Sequence, residues 1–339
     1  MRWIMTWVCA VGLFVGGCGD GGDAGDDGTA ANRVVLYTAV DRPYVLQIVA
    51  DFEQQTGIKV DLQTDAEASK TTGLVNRLIA EKDNPQADVW WSNEVFYTAN
   101  LIEAGVLAAY QPPAVAEIDE QWRDEAGIYT PVALRARVLV VNADPANADL
   151  LKDIRSLKDL TKPELKDKIA IALPKFGTTG GHVASLYQVW GEERADDYFR
   201  SLHQNGIKIL GGNMTVVNYV ADGQILVGLT DNDDVSHALA QDKPVRMVVP
   251  DQADGQLGTL LIPTTVALVR GAPREDNAKK LIDYLASRQV EQSLIDQEFA
   301  MFSVREGEAG VQAISVDYRQ AARNMNEHID RSIKLLRGE

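Results

Sequence analysis

Cysteine is nearly absent from this chain of 339 residues, with only Cys9 and Cys18. An architecture pinned by several disulfides is therefore excluded, and the fold must rest on its core. Basic residues are in deficit: 33 Lys and Arg stand against 49 Asp and Glu, for a formal charge of −16. No basic stripe is available to neutralise phosphates, so nucleic acid is set aside as a partner and an acidic, self-repelling surface is expected. Long apolar runs are missing too, since none approaches the ~20 residues of a membrane-spanning helix. The chain also has no HExxH, no CxxC, no Gly-Lys-Ser/Thr phosphate loop and no nucleophile elbow with a Ser-His-Asp set. What remains, 45% hydrophobic and 24% charged residues, is the composition of a globular protein with one or two cores.

At the N-terminus Arg2 precedes an apolar run from Trp3 to Val15, which has the length of a signal h-region. The run ends in Val15-Gly16-Gly17-Cys18, a string that resembles a bacterial lipobox; the alternative is an ordinary secretory signal with an incidental cysteine. On the lipobox reading, residues 1–17 are a signal peptide and Cys18 is the lipidated residue. Residues 18–32 then form a Gly- and Asp-rich tether whose reach is on the order of 20 Å. An exported chain, anchored by lipid to the cell envelope, with its folded part in the periplasm or outside the cytoplasmic membrane, is the expectation.

From Arg33 onward short apolar runs alternate with helical periods. Val34 to Tyr37 reads as a buried strand. Tyr44, Ile48, Val49 and Phe52 recur at helical spacing until Thr56-Gly57, and Ile58 to Leu62 is again a strand. Arg137 to Asn142, RVLVVN, is continuously apolar after its first residue, as a strand covered on both faces requires. Connections of this length imply parallel pairing. The reading is an α/β chain of two lobes with mixed, mainly parallel sheets. Lobe one comprises 33–134 plus 263–339, lobe two 135–262, with two crossings between them and a cleft where they meet.

The order of LYTAVDRPY (Leu36 to Tyr44), FEQQTGIKV (Phe52 to Val60), ADVWWSNE (Ala87 to Glu94), EAGVLAAY (Glu103 to Tyr110), RARVLVVN (Arg135 to Asn142), GGN (Gly211 to Asn213) and ADGQILVGLTD (Ala221 to Asp231) resembles the bacterial extracellular solute-binding proteins, family 1 with the type II periplasmic binding fold, of the ferric-ion and 2-aminoethylphosphonate group. The resemblance implies a monomeric binder rather than an enzyme, closing on a small ligand between its lobes and handing it to the permease and ATPase subunits of an ABC importer. It also implies where iron ligands would stand: Asp41 in place of a His, Asn93 or Glu94 in place of a Glu, and Asp233 with Asp234 in place of two adjacent Tyr. Tyr37 and Tyr44 lie close by in sequence; each either reaches the ligand or packs in the first strand and helix.

The residues carry their own chemistry. Thr230-Asp231-Asn232-Asp233-Asp234 puts three carboxylates at a strand end, where they need a positive partner, or else serve to cap the helix that follows. Thr178 and Thr179, in a Gly-rich stretch at a helix start, with Asn213, suit an anion; His182 reads as a helix-start residue. Arg135 and Arg137 share one strand face and could pair with a ligand anion or with an acidic residue of the other lobe. Of Trp90 and Trp91, on opposite faces, one is assigned to the core, and the other could wall the cleft or cover an ammonium group. The expected site is thus Asp41, Glu94, Asp233 and Asp234 on a cation, facing Thr178, Thr179 and Asn213 on an anion, with Asp231, Arg135, Arg137 and Tyr37 alongside. No resident cofactor is expected. The ligand is iron(III) or another hard metal ion with carbonate or phosphate, or else a zwitterion such as 2-aminoethylphosphonate. Carboxylate density also leaves an exported metal-dependent hydrolase as a reading of another class.

Overall fold

The computed structural model describes residues 32–64, 72–175, 177–306 and 310–339. The signal segment, Cys18 and the tether up to residue 31 lie outside the described residues, as does Phe176.

Strand β1 (Arg33–Thr38) leads into helix α1 (Arg42–Thr56), then β2 (Lys59–Thr64), helix α2 (Thr72–Ala80), β3 (Val89–Ser92) and helix α3 (Phe96–Glu103). Helix α1 forms as its spacing requires: Val45, Ile48, Val49 and Phe52 make one buried face. It stops because Gly57 takes a left-handed conformation (φ 70°), from which its amide reaches Glu53 O at 2.9 Å. Next come β4 (Leu107–Ala108), the long β5 (Tyr129–Asn142), β6 (Ile169–Ala172), α4 (Gly177–Trp190), α5 (Glu192–Gln204), β7 (Lys208–Leu210), α6 (Asn213–Ala221), β8 (Val227–Asp231), α7 (Asn232–Leu239) and β9 (Val245–Val248). The chain ends with β10 (Leu261–Val269), α8 (Glu275–Leu285), α9 (Arg288–Asp296), α10 (Tyr318–Arg323) and α11 (Met325–Arg337).

The strands run in the order β2-β1-β3-β10-β5-β8-β6-β7, with β4 against β10 and β9 against β5. Parallel ladders join β1 to β2 and β3, and β6 to β7 and β8. Every ladder made by β5 or β10 is antiparallel, so the sheets are mixed rather than mainly parallel. The reason is that β5 and β10 are the connections themselves and run against their neighbours. All fourteen residues of β5 are buried; its first half pairs with β10, and the stretch from Arg137 pairs with β8 and β9. One strand thereby belongs to both sheets. The return crossing lies beside it, where Arg137 N donates to Leu260 O at 2.9 Å and Thr259 Oγ1 to Arg137 O at 2.5 Å.

Each sheet is covered on both faces. In β1, Val35 and Tyr37 enter one core while Val34 and Leu36 enter another. Trp90 and Trp91 follow the same alternation and both are fully buried, Trp90 donating to Thr98 Oγ1 at 2.9 Å. Neither walls a cleft, because β3 is covered on both sides. In the C-terminal tail, α10 packs on α3 and α4, and α11 packs on α4 and α5. Arg331 of α11 fixes it there with a fork onto Asp196 (Nε to Oδ1 2.8 Å, Nη2 to Oδ2 2.6 Å). Among the described residues no helix is long and apolar enough to cross a membrane.

Candidate functional site

Strand β8 ends at Asp231 and α7 begins at the next residue, so Asp231 occupies the position before the first helical turn; its side chain makes no capping bond. It turns instead to β5. Arg135 and Arg137, on one face of that strand, both reach it: Arg137 Nη1 meets Asp231 Oδ1 at 2.6 Å, and Arg135 Nη2 meets Oδ2 at 3.2 Å. Arg135 Nη2 also meets Asp233 Oδ1 at 2.5 Å. Thr178 Oγ1 (2.6 Å) and Asn213 Nδ2 (2.9 Å) donate to Asp231 Oδ2. Asn213 Oδ1 in turn accepts from Thr179 Oγ1 at 3.2 Å.

The carboxylates therefore do have a positive partner, and it is the chain's own pair of arginines. Burial would raise Asp231, but Arg137 and Arg135 with the Thr178 hydroxyl hold it below the usual carboxylate range. Asp233 goes the other way: burial pushes it up, Arg135 opposes, and Asp231 and Asp41 add repulsion. The predicted separation into a cation half and an anion half facing each other does not hold. Thr178 and Asn213 bond directly to Asp231, because the starts of α4 and α6 lie beside the end of β8 in the same lobe.

Opposite this cluster stands the turn between β1 and α1. Burial raises the Tyr44 phenol to about 12, with Asp233, Asp41 and Asp234 adding to the rise; Tyr44 and Asp41 of one lobe thus share a field with Asp233 and Asp234 of the other. The Tyr44 ring packs on Phe299 at 4.7 Å, and the Arg135 guanidinium lies over the Phe299 ring, 4.9 Å from its centroid. Carboxylate oxygens of Asp231, Asp233 and Asp234 come within 4.8 Å of one another, close enough for a single hard cation. Thr230 Oγ1 donates to Asp234 Oδ2 at 3.3 Å.

Two expected members are elsewhere. Tyr37 is buried on the other side of β1, its hydroxyl donating to Glu81 Oε2 at 3.1 Å and its ring under Arg77 at 4.6 Å; strand alternation sends it toward α2. Glu94 is fully buried at the start of α3, where Oε2 accepts from Phe96 N at 2.6 Å and Oε1 from Tyr97 N at 3.0 Å. It closes the helix end. Neighbouring Asn93 contributes its carbonyl, which accepts from Arg135 Nη1 at 3.4 Å. Phe299 was not foreseen, and nothing in its sequence surroundings signals it.

Burial raises Glu94 from 4.5 to about 7, against the two amides and Arg135. The folded chain thus favours the protonated form: this contribution is full below the ordinary pKa and is lost as pH rises through about 7, a change of about 3 kcal/mol. In thermal melts the margin of the wild type over Glu94→Gln should widen as pH falls from about 7.5 to about 5. A margin that is flat or narrows over that range would contradict this.

A mixed α/β sheet shared by two lobes, with charged residues gathered where they meet, defines a two-lobed binding protein. The chain belongs to the bacterial extracellular solute-binding protein family, whose model matches residues 34–299. It is a binding protein and not an enzyme, so the hydrolase reading of the Asp cluster falls. Members of this class take up a small solute outside the cytoplasm for an ABC importer. The chain is 27% identical to the major ferric iron-binding protein of Neisseria meningitidis over 73% of its own length and 74% of the relative's. It is 26% identical to a periplasmic protein of Salmonella typhi to which 2-aminoethylphosphonate binding is ascribed, over 67% and 66%. The structure of apo ferric ion-binding protein A of Pasteurella haemolytica superposes with a TM-score of 0.77 at 22% identity, over 90% of this chain and 98% of that one; that likeness speaks for the fold.

Proposed function

We propose that the solute presents a positive centre to Asp41, Asp233, Asp234 and Tyr44, and that it is iron(III) or another hard metal ion completed by an anion such as carbonate or phosphate. The observation that carries this is the donor set: carboxylate oxygens of Asp231, Asp233 and Asp234 lie within 4.8 Å of one another, and Asp41 and Tyr44 share their field, a gathering of hard oxygen donors of the kind such an ion takes. The iron-binding relative supports the same reading. A zwitterion such as 2-aminoethylphosphonate is the second reading, favoured by Arg137, Thr178, Thr179 and Asn213 lying next to the carboxylates and by the second relative. Elemental analysis with native mass spectrometry of protein purified without chelators tests the choice. Stoichiometric metal is expected; a phosphorus-bearing organic ligand without metal would overturn it.

Closure follows from the same reading, since β5 and the segment at Thr259–Leu261 can flex as a hinge. Adding the iron(III) complex should shrink the radius of gyration in solution scattering and raise the melting temperature. Tight binding with neither change would argue against closure.

For delivery to permease and ATPase subunits, we propose that lipid on Cys18, in a string that resembles a lipobox, keeps the protein at the membrane. A Cys18→Ser protein should leave the membrane fraction and appear as soluble protein outside the cytoplasm. Retention at the membrane with unchanged processing would refute lipidation.

A further inference from the structure

Strand β5 changes partners between two adjacent residues. Ala136 pairs with β10, opposite Leu261, and Arg137 pairs with β8, opposite Asp231. Beyond Asp231 the chain turns into α7, so β8 has no further carbonyl to offer the Ala136 amide. The side chain of the next residue takes that place: Asn232 Oδ1 accepts from Ala136 N at 2.8 Å. Its Nδ2 reaches a third segment and donates to Phe299 O at 3.2 Å. That carbonyl is presented by the turn that ends α9, where Glu298 takes a left-handed conformation (φ 58°) and Phe299 N reaches Leu294 O at 3.0 Å. Phe299 belongs to the core of β1 and α1, with Leu36 and Val45. Two residues later the chain returns to β5, where Met301 N donates to Leu134 O at 2.8 Å. Asn232 is 2% exposed, so both of its bonds are shielded from water. One buried amide thus joins the start of α7, the crossing strand and the core of β1 at the place where the two sheets meet.

We propose that Asn232 is a positioning residue that pins the two sheets together at the crossing, and so sets how Asp233 and Asp234, in the first turn of α7, stand to Asp41 and Tyr44 at the start of α1. The Phe299 ring serves the same end: it packs on Tyr44, and Arg135, which bonds to Asp231 and Asp233, lies over it. A bond at the pivot changes length little when two bodies turn about it, whereas sliding or splaying of one sheet against the other breaks it. The pin therefore permits rotation and resists the other motions. Its role is the same whichever solute the cleft takes.

The test is run without solute, so its outcome is separate from that of the cation reading. The full chain carries Cys9→Ser and Cys18→Ser, which leaves no native cysteine, and spin labels are attached at Leu46→Cys and Leu150→Cys. Leu46 is an exposed residue of α1; Leu150 is exposed beside Leu151, which lies in the core of β6 and β8. Pulsed electron double resonance reads the distance between the labels. With Asn232 intact the distribution should be single and narrow. Asn232→Leu removes both bonds and adds no charge. Asn232→Asp keeps an acceptor for Ala136 N and suits the first turn of a helix, but once ionised cannot donate to Phe299 O. Both changes should broaden the distribution and shift its mean to longer distance. Circular dichroism melts check the fold, and Asn232→Ala replaces the Leu variant if that does not fold. Folded variants with the distribution of the intact chain overturn the proposal. Broadening in the Leu variant alone also overturns it, by assigning the effect to the Ala136 bond, as does broadening in the Asp variant alone, by assigning it to the added charge.

Discussion

Asp231→Asn should lower the stability of the ligand-free protein by about 3–5 kcal/mol, the cost of breaking a buried ion pair from one side. Asp231 is 2% exposed and accepts from Arg137, Arg135, Thr178 and Asn213. An Asn in its place keeps the shape but turns an NH2 group toward one of these donors and leaves two buried guanidinium groups with Asp233 as their remaining bonded carboxylate. Burial that was compensated becomes burial of excess positive charge. Urea unfolding reads this as a lower midpoint with little change in slope. Thr178→Val, which removes one donor but keeps the charge, should cost less, about 1.5–3 kcal/mol. The double variant Arg137→Met with Asp231→Leu should be less destabilised than the sum of its single changes, since each single change strands the other's charge. A midpoint for Asp231→Asn within error of the wild type would show that the cluster does not bear on folding.

Asp233→Asn should act on binding more than on folding. Asp233 holds Arg135 through one short bond and lies on the side that faces Asp41 and Tyr44, so the change removes a charge that the solute is proposed to meet. Loss of a charged contact in a closed cleft costs on the order of 2 kcal/mol, about thirtyfold in affinity. Thr178→Val should weaken binding less, because Arg137 and Asn213 remain. With a metal as ligand, affinity should also fall as pH drops through the carboxylate range, since protons compete for the same oxygens. Isothermal titration with the iron(III) complex measures all of these. Wild-type affinity in both Asp233→Asn and Asp234→Asn would remove the proposed cation site and leave the cluster as the acidic first turn of α7.

Much of the fold was legible because it follows from local rules. The spacing of Val45, Ile48, Val49 and Phe52 made α1, Gly57 ended it, and the unbroken apolar run from Val138 foretold a strand covered on both faces. The tail from Val316 to Leu336 also has a helical period, although Asn324 divides it into α10 and α11. Helix α9 was missed, even though Ser287 accepts from Val290 N at its start.

The site divides in the same way. That Arg135 and Arg137 share a face follows from the two-residue repeat of a strand, and that three carboxylates at 231–234 need a positive partner follows from Coulomb repulsion; both are properties of neighbouring residues, and the sequence by itself determined them. Who answers whom is a different kind of fact. Asp231 meets Arg135 across 96 positions of chain and Arg137 across 94, while Phe299 joins Tyr44 and Arg135 with no motif to announce it. Tyr37 and Tyr44 looked equivalent until strand alternation turned one toward Glu81 and the helix start carried the other toward Asp233. Only the tertiary structure decided these pairings, because they depend on which strand ends lie side by side, and that is set by the packing of four cores among the described residues rather than by any short stretch of sequence.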